Sequence, residues 1–249
     1  MATNPLLEVQ HLSKNFCRMH ALRRECITAV DDLNLQINTG EIFAFLGPNG
    51  AGKTTTINML VGFLKPSAGT IRIFGSEFSR ASVEIKRRIG YLPEAAHLPT
   101  HYRVGELLEF YCELFFIGRK ERKRRIDSVL NGVGLEEQHK KLIQELSMGQ
   151  KRCLGLACAL INDPDLLLLD EPTVYLDPLI LEKIRTILVQ LKKQNKTIFM
   201  SSHILSEVEK VCDSFAIIKD GRLLCRGLTR DLKDQRSLEE EFLQAIKKQ

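Results

Sequence analysis

A chain of 249 residues with 44% hydrophobic and 27% charged side chains has the makeup of a globular domain, which excludes an extended disordered protein. The net charge of +5 is modest for this length; it favours phosphates or an anionic membrane face without marking a DNA-binding domain. The longest stretches free of Asp, Glu, Lys and Arg, Ile42–Gly52 and Thr54–Leu64, have 11 residues each, well short of the ~20 that cross a bilayer as a helix.

The start of the chain, Met1–Glu8, has no basic run and no long apolar stretch, so it does not read as a signal peptide. Apolar and β-branched alternation predicts strands over Leu6–His11, Thr28–Ile37 and Glu41–Phe45, the last two joined by the turn Asn38-Thr39-Gly40. Between the first two, Cys17–Ile27 with Arg18, Arg23 and Arg24 reads as an exposed loop insertion. Helical spacing runs through Lys53–Phe63 and stops at Lys65-Pro66, and a short strand follows at Thr70–Phe74. From Val104 to about Glu145 the pattern is one of successive helices, among them Glu106–Phe116 and Arg122–Leu130. Leu166–Leu169, helical Leu179–Leu191 and Thr197–Met200 form a strand–helix–strand unit of a parallel sheet. A hairpin is predicted around Asp220-Gly221, and a last amphipathic helix over Leu238–Ile246. The plan is an α/β body interrupted by a mostly helical insert. Seven cysteines without a C-x-x-C pair (Cys17, Cys26, Cys112, Cys153, Cys158, Cys212 and Cys225) read as reduced core residues of a cytosolic protein.

Gly47-Pro48-Asn49-Gly50-Ala51-Gly52-Lys53-Thr54-Thr55 matches G-x-x-x-x-G-K-[ST], after an apolar strand and before a helix. Glycines let successive backbone N–H groups point inward at phosphates, and the helix adds its positive end. Lys53 supplies a full charge and Thr54 a hydroxyl for Mg²⁺, which predicts a nucleoside triphosphate site. In Leu166-Leu-Leu-Leu-Asp170-Glu171-Pro172, four leucines make a strand buried on both faces. Asp170 at its end is a candidate Mg²⁺ ligand, and Glu171 is placed to orient or deprotonate a water.

A third motif gives the family. Leu146-Ser147-Met148-Gly149-Gln150-Lys151-Arg152 resembles the LSGGQ signature of the ATP-binding-cassette (ABC) ATPases, with Met148 in place of the middle Gly and Ser147 lying 23 residues before Asp170. The resemblance covers roughly Leu7–Gly227. It implies an α/β P-loop NTPase fold with a mostly parallel central sheet, an antiparallel β subdomain and a helical insert at about 95–160. The whole of 1–249 would be one domain with a short tail at about 228–249. It implies ATP and Mg²⁺ as ligands, with Ser147, Gly149 and Gln150 covering nucleotide held on the partner subunit's phosphate loop. Ser201-Ser202-His203 resembles the switch-histidine loop, which would bring His203 to the γ-phosphate. Leu176-Asp177-Pro178 resembles the end of the D-loop, near the boundary between subunits. Phe16 takes the place of the aromatic residue that stacks on adenine, although a plain core Phe fits there too. Glu94 stands where the family has a Mg²⁺-contacting Gln, and Tyr175 where a small residue is common.

The function implied is the ATPase subunit of a transporter. It would lie on the cytoplasmic face of the membrane, paired with a second cassette (a second copy is favoured) and a separately encoded permease. No nucleic acid is expected as a partner. The helical segment around Glu94–Phe116 would pass motion to the permease. Only 22 residues follow Gly227, which resembles the short tail of export cassettes. The alternatives are a regulatory cassette ATPase on a membrane partner and a non-transport one on ribosomes or nucleic acid. The basic run Arg119–Arg125 reads as the solvated start of a helix.

Overall fold

The computed structural model describes residues 5–20, 23–78, 83–232 and 237–247. Two sheets meet across a shared core. A six-stranded sheet runs in the order β10 (Arg222–Leu228), β9 (Ser214–Lys219), β3 (Ile42–Leu46), β8 (Thr197–Ser202), β7 (Leu166–Leu169), β6 (Ile89–Leu92). All neighbouring strands are parallel except the β9–β10 hairpin at the edge. A second, antiparallel sheet has the order β2 (Arg23–Ile37), β1 (Leu7–His20), β4 (Ala68–Ile73), β5 (Ser76–Glu77).

Strand periodicity explains why both faces of the larger sheet are dry. In β3, Ile42, Ala44 and Leu46 enter one apolar cluster, whereas Phe43 and Phe45 enter another. Leu167 and Leu169 of β7 join the first cluster, and Leu166 and Leu168 the second. The second cluster fills the space beneath the antiparallel sheet, and Phe199 stacks on Phe43 with centroids 5.7 Å apart. The first lies under the helices α3 (Val104–Leu114), α4 (Arg119–Val133), α5 (Met148–Leu160) and α6 (Pro178–Lys193). Helix α1 (Lys53–Leu60) follows β3 directly, and α2 (Val83–Arg87) precedes β6. The chain closes with α7 (Leu205–Val211), α8 (Thr229–Leu232) and α9 (Leu238–Lys247). No helix among the described residues is long and apolar enough to cross a membrane.

Two sequence readings are corrected. Cys17–Ile27 is not a loop insertion: β1 and β2 continue as antiparallel partners, with Phe16 opposite Ile27, Cys17 opposite Cys26 and His20 opposite Arg23; residues 21 and 22 lie outside the described residues. Nor are all seven cysteines reduced core residues, since Cys17 and Cys26 are exposed and joined by a disulfide. The arginines hid the strand pattern, and only the register places the two sulfurs together. Cys112, Cys153, Cys158 and Cys212 are buried and free, and Cys225 is partly buried. The basic run opens α4, where Arg122 pairs with Glu109 and Glu113 of α3, and Arg124 and Arg125 pair with Glu121.

Candidate nucleotide site

The loop from Gly47 to Gly52 links the end of β3 to α1. Gly52 has φ +105°, and a Cβ there would lie 2.4 Å from the Ala29 carbonyl oxygen, so only glycine fits. Lys53 folds back over the loop: its Nζ donates to the Gly47 carbonyl at 2.7 Å and lies 3.3 Å from Glu171 Oε1. Thr54 is exposed. Asn49, Gly50, Ala51, Gly52, Lys53, Thr54 and Thr55 line a cavity of about 350 Å³ together with Glu94, Glu171 and His203.

Asp170 and Glu171 follow β7, one strand away from the loop across β8. Ser201, fully buried at the end of β8, organises both of them. Its hydroxyl donates to Asp170 Oδ1 at 2.6 Å and accepts the Glu171 N–H at 2.9 Å. Glu171 has φ +47°, a conformation uncommon outside glycine. Its carboxylate bridges two elements, with Oε1 toward Lys53 and Oε2 3.0 Å from His203 Nδ1. Lys53, Glu171 and His203, read from three separate motifs, are thus brought together.

Asp170 is buried, and its Oδ2 has no hydrogen-bond partner among the described residues. A buried ionised oxygen without a partner is costly, and a hard cation would satisfy it. Thr54 adds a second hard oxygen at the cavity. These donors fit Mg²⁺ shared with phosphate oxygens. Among the described residues no group of three or more His, Cys, Asp or Glu side chains is placed to hold a metal unaided.

Of the other residues singled out in the sequence, Tyr175 lies at the cavity and the rest lie apart from it. Ser147 caps α5: its Oγ accepts the Gln150 N–H at 3.2 Å, and Gln150 Oε1 accepts the Ser147 N–H at 3.0 Å. Gly149 is set by packing, because a Cβ there would lie 2.7 Å from Ile180 Cγ1 of α6. Ser147, Gly149 and Gln150 do not line the phosphate-loop cavity of their own chain, nor does Phe16. Phe16 is 41% exposed on β1, with Lys14 Nζ 5.2 Å from its ring centroid. Asp177 caps α6, accepting the N–H groups of Leu179 and Ile180. Tyr175 is 91% exposed at the cavity rim, with φ +59°.

Sequence reasoning missed two residues here. Ser201 was visible only as part of Ser201-Ser202-His203, and Arg152 only as the end of the signature segment.

The sequence pattern of the family described as ABC transporter matches residues 30–174. The chain belongs to that family. The bacitracin transport ATP-binding protein BcrA of Bacillus licheniformis is 46% identical over 79% of this chain and 63% of its own length. The Nod factor export ATP-binding protein I of Ralstonia nicotianae is 34% identical over 93% of this chain and 70% of its own. Among solved structures, an ATP-binding subunit of an ABC transporter superposes with a TM-score of 0.83 at 29% identity, covering 97% of this chain and 99% of that one. A dimeric ATP-binding cassette in a post-hydrolysis state with ADP and Pi superposes at 0.82 with 26% identity, over 90% of this chain and 99% of that one. The chain spans less than two thirds of three curated relatives, 63%, 57% and 62% of their lengths. The ABC ATPase fold is thereby established, with the parallel sheet, the antiparallel sheet and the helices that the resemblance implied.

Proposed function

We propose that this chain binds and hydrolyses Mg·ATP to drive a membrane transporter whose permease is a separate polypeptide, and that it works as a head-to-tail dimer of cassettes. The carrying observation is the convergence of Lys53, Glu171 and His203 on one phosphate-loop cavity. Lys53 and the N–H groups of Gly50–Thr55 bind the phosphates, and Thr54 and Asp170 hold Mg²⁺, which neutralises phosphate charge when bound. Glu171 takes a proton from the attacking water, while His203 fixes the second carboxylate oxygen and faces the γ-phosphate. Glu94, exposed at the same cavity, is assigned as a carboxylate that a bound metal would sense.

Ser147, Gly149 and Gln150 lie outside this cavity, so they serve the site of a second cassette, where the amino end of α5 faces anionic phosphate. Phe16 is assigned to adenine stacking because β1, which carries it, pairs with β2, whose Ala29 lines the cavity. The reading places the chain at the cytoplasmic face of the membrane, with export as the direction. Support for export comes from a relative named for Nod factor export. Nucleic acid has no part in it.

The test is Glu171→Gln, which keeps size and hydrogen bonding but removes the base. ATP should bind while turnover falls at least a hundredfold, and the variant should elute as a dimer in size-exclusion chromatography only when ATP is present. Wild-type turnover would overturn the assignment.

A further inference from the structure

Arg152, on the second turn of α5, has a buried guanidinium with every N–H donor engaged. Nε donates to the Pro172 carbonyl at 3.2 Å. Nη1 donates to the carbonyls of Pro93 and Glu94 at 2.6 and 2.9 Å. Nη2 donates to those of Asp170 and Glu171 at 2.8 and 2.7 Å. Arginine has five N–H donors in a fixed planar fork, and here five backbone oxygens take all of them. Those oxygens belong to two segments, residues 93–94 after β6 and residues 170–172 after β7.

No salt bridge to a carboxylate accounts for this burial among the described residues; the hydrogen bonds that hold the charge all go to backbone carbonyls. Desolvation lowers the guanidinium pKa to about 10 against the attraction of Asp170, Glu94 and Glu171. An arrangement this costly resists sliding: shifting α5 against either segment would strip hydrogen bonds from a buried charge.

We propose that Arg152 is a positioning residue that locks the helix carrying Ser147–Gln150 to the backbone carrying Glu94, Asp170 and Glu171. This rests on the two-cassette reading above. Each chain then contributes its carboxylates to one composite site and its Ser147–Gln150 segment to the other. Arg152 makes those two contributions one rigid body, so closure at one site sets the geometry at its neighbour. Lysine keeps the charge but concentrates three donors on one atom, which cannot span five oxygens on two segments.

The experiment introduces Arg152→Gln and Arg152→Lys into the full chain, each alone and combined with Glu171→Gln. Alone, Arg152→Gln should lower kcat for ATP at least tenfold with KM changed less than threefold, and Arg152→Lys should fall between it and wild type. Combined with Glu171→Gln, it should bind a fluorescent ATP analogue with unchanged affinity yet lose the ATP-dependent dimer seen by size exclusion. Arg152→Lys carries the same comparison if Arg152→Gln does not fold. Undiminished ATP-dependent dimer in the double variants overturns the proposal, as does a matched loss of nucleotide binding and thermal stability, which would make Arg152 a folding residue. Failure of Glu171→Gln alone to dimerise would instead refute the two-cassette reading.

Discussion

Ser201→Ala removes one buried oxygen and disconnects two partners at once. Asp170 Oδ1 loses the Ser201 hydroxyl as its donor and the Glu171 N–H loses its acceptor, at a buried position. A hydrogen bond to a charged group contributes about 1.5–3 kcal/mol, and a stranded buried N–H costs about 1–3 kcal/mol more, so the expected loss is about 3 kcal/mol. With a urea m-value of about 3 kcal/mol/M for a chain of this size, the midpoint should fall by about 1 M. The same change frees the carboxylate that holds the metal and the strained turn at Glu171. If roughly 1.4 kcal/mol of the loss falls on the transition state, turnover drops about tenfold. Mg·ATP should recover part of the stability, because Asp170 then gains an ion as partner; metal-free ATP should recover less. The measurements are urea denaturation followed by circular dichroism, with and without each ligand, and steady-state ATPase rates. A midpoint within about 0.2 M of wild type together with unchanged turnover would refute the reasoning.

Glu94→Gln removes a carboxylate from the cavity rim. A unit charge about 5 Å from a phosphate charge costs about 3 kcal/mol at an effective dielectric of about 20, and a doubly charged cation reverses the sign. The variant should therefore need more Mg²⁺ for half-maximal ATPase rate and bind metal-free ATP more tightly; two unchanged titrations would leave Glu94 outside the metal's reach. The free thiols give a second readout. Burial pushes Cys158 up to about 12 and also raises Cys112, Cys153, Cys212 and Cys225. A thiol raised to about 12 is only about one part in ten thousand thiolate at pH 8, and its reactivity climbs with pH. Ellman's reagent should thus label the native protein slowly, Cys225 first, faster at pH 10 than at pH 8, and all five thiols on unfolding. Rapid labelling of two or more at pH 8 would contradict this burial.

The strands of the parallel sheet were legible because burial on both faces leaves continuous apolar runs such as Leu166–Leu169, bounded by turn residues. The phosphate loop, Asp170-Glu171 and the signature segment were legible for a different reason: each is local, and its chemistry needs particular residues at fixed spacing. The extended hairpin of β1 and β2 was not legible, since exposed strands tolerate Arg and Glu and so lose the alternation that marks a buried face. The Cys17–Cys26 pairing depends on cross-strand register, which turn length and twist decide. Tertiary structure alone brought Lys53, Glu171 and His203 from three separate segments onto one cavity, and it set Ser201 between two carboxylate-bearing residues. It alone also gave Arg152 its five carbonyl partners, because the oxygens it binds lie 18 to 59 residues away along the chain. Local sequence determines which groups are available for chemistry. The closing of the sheet determines which of them meet, because contacts between distant segments follow from how buried faces pack.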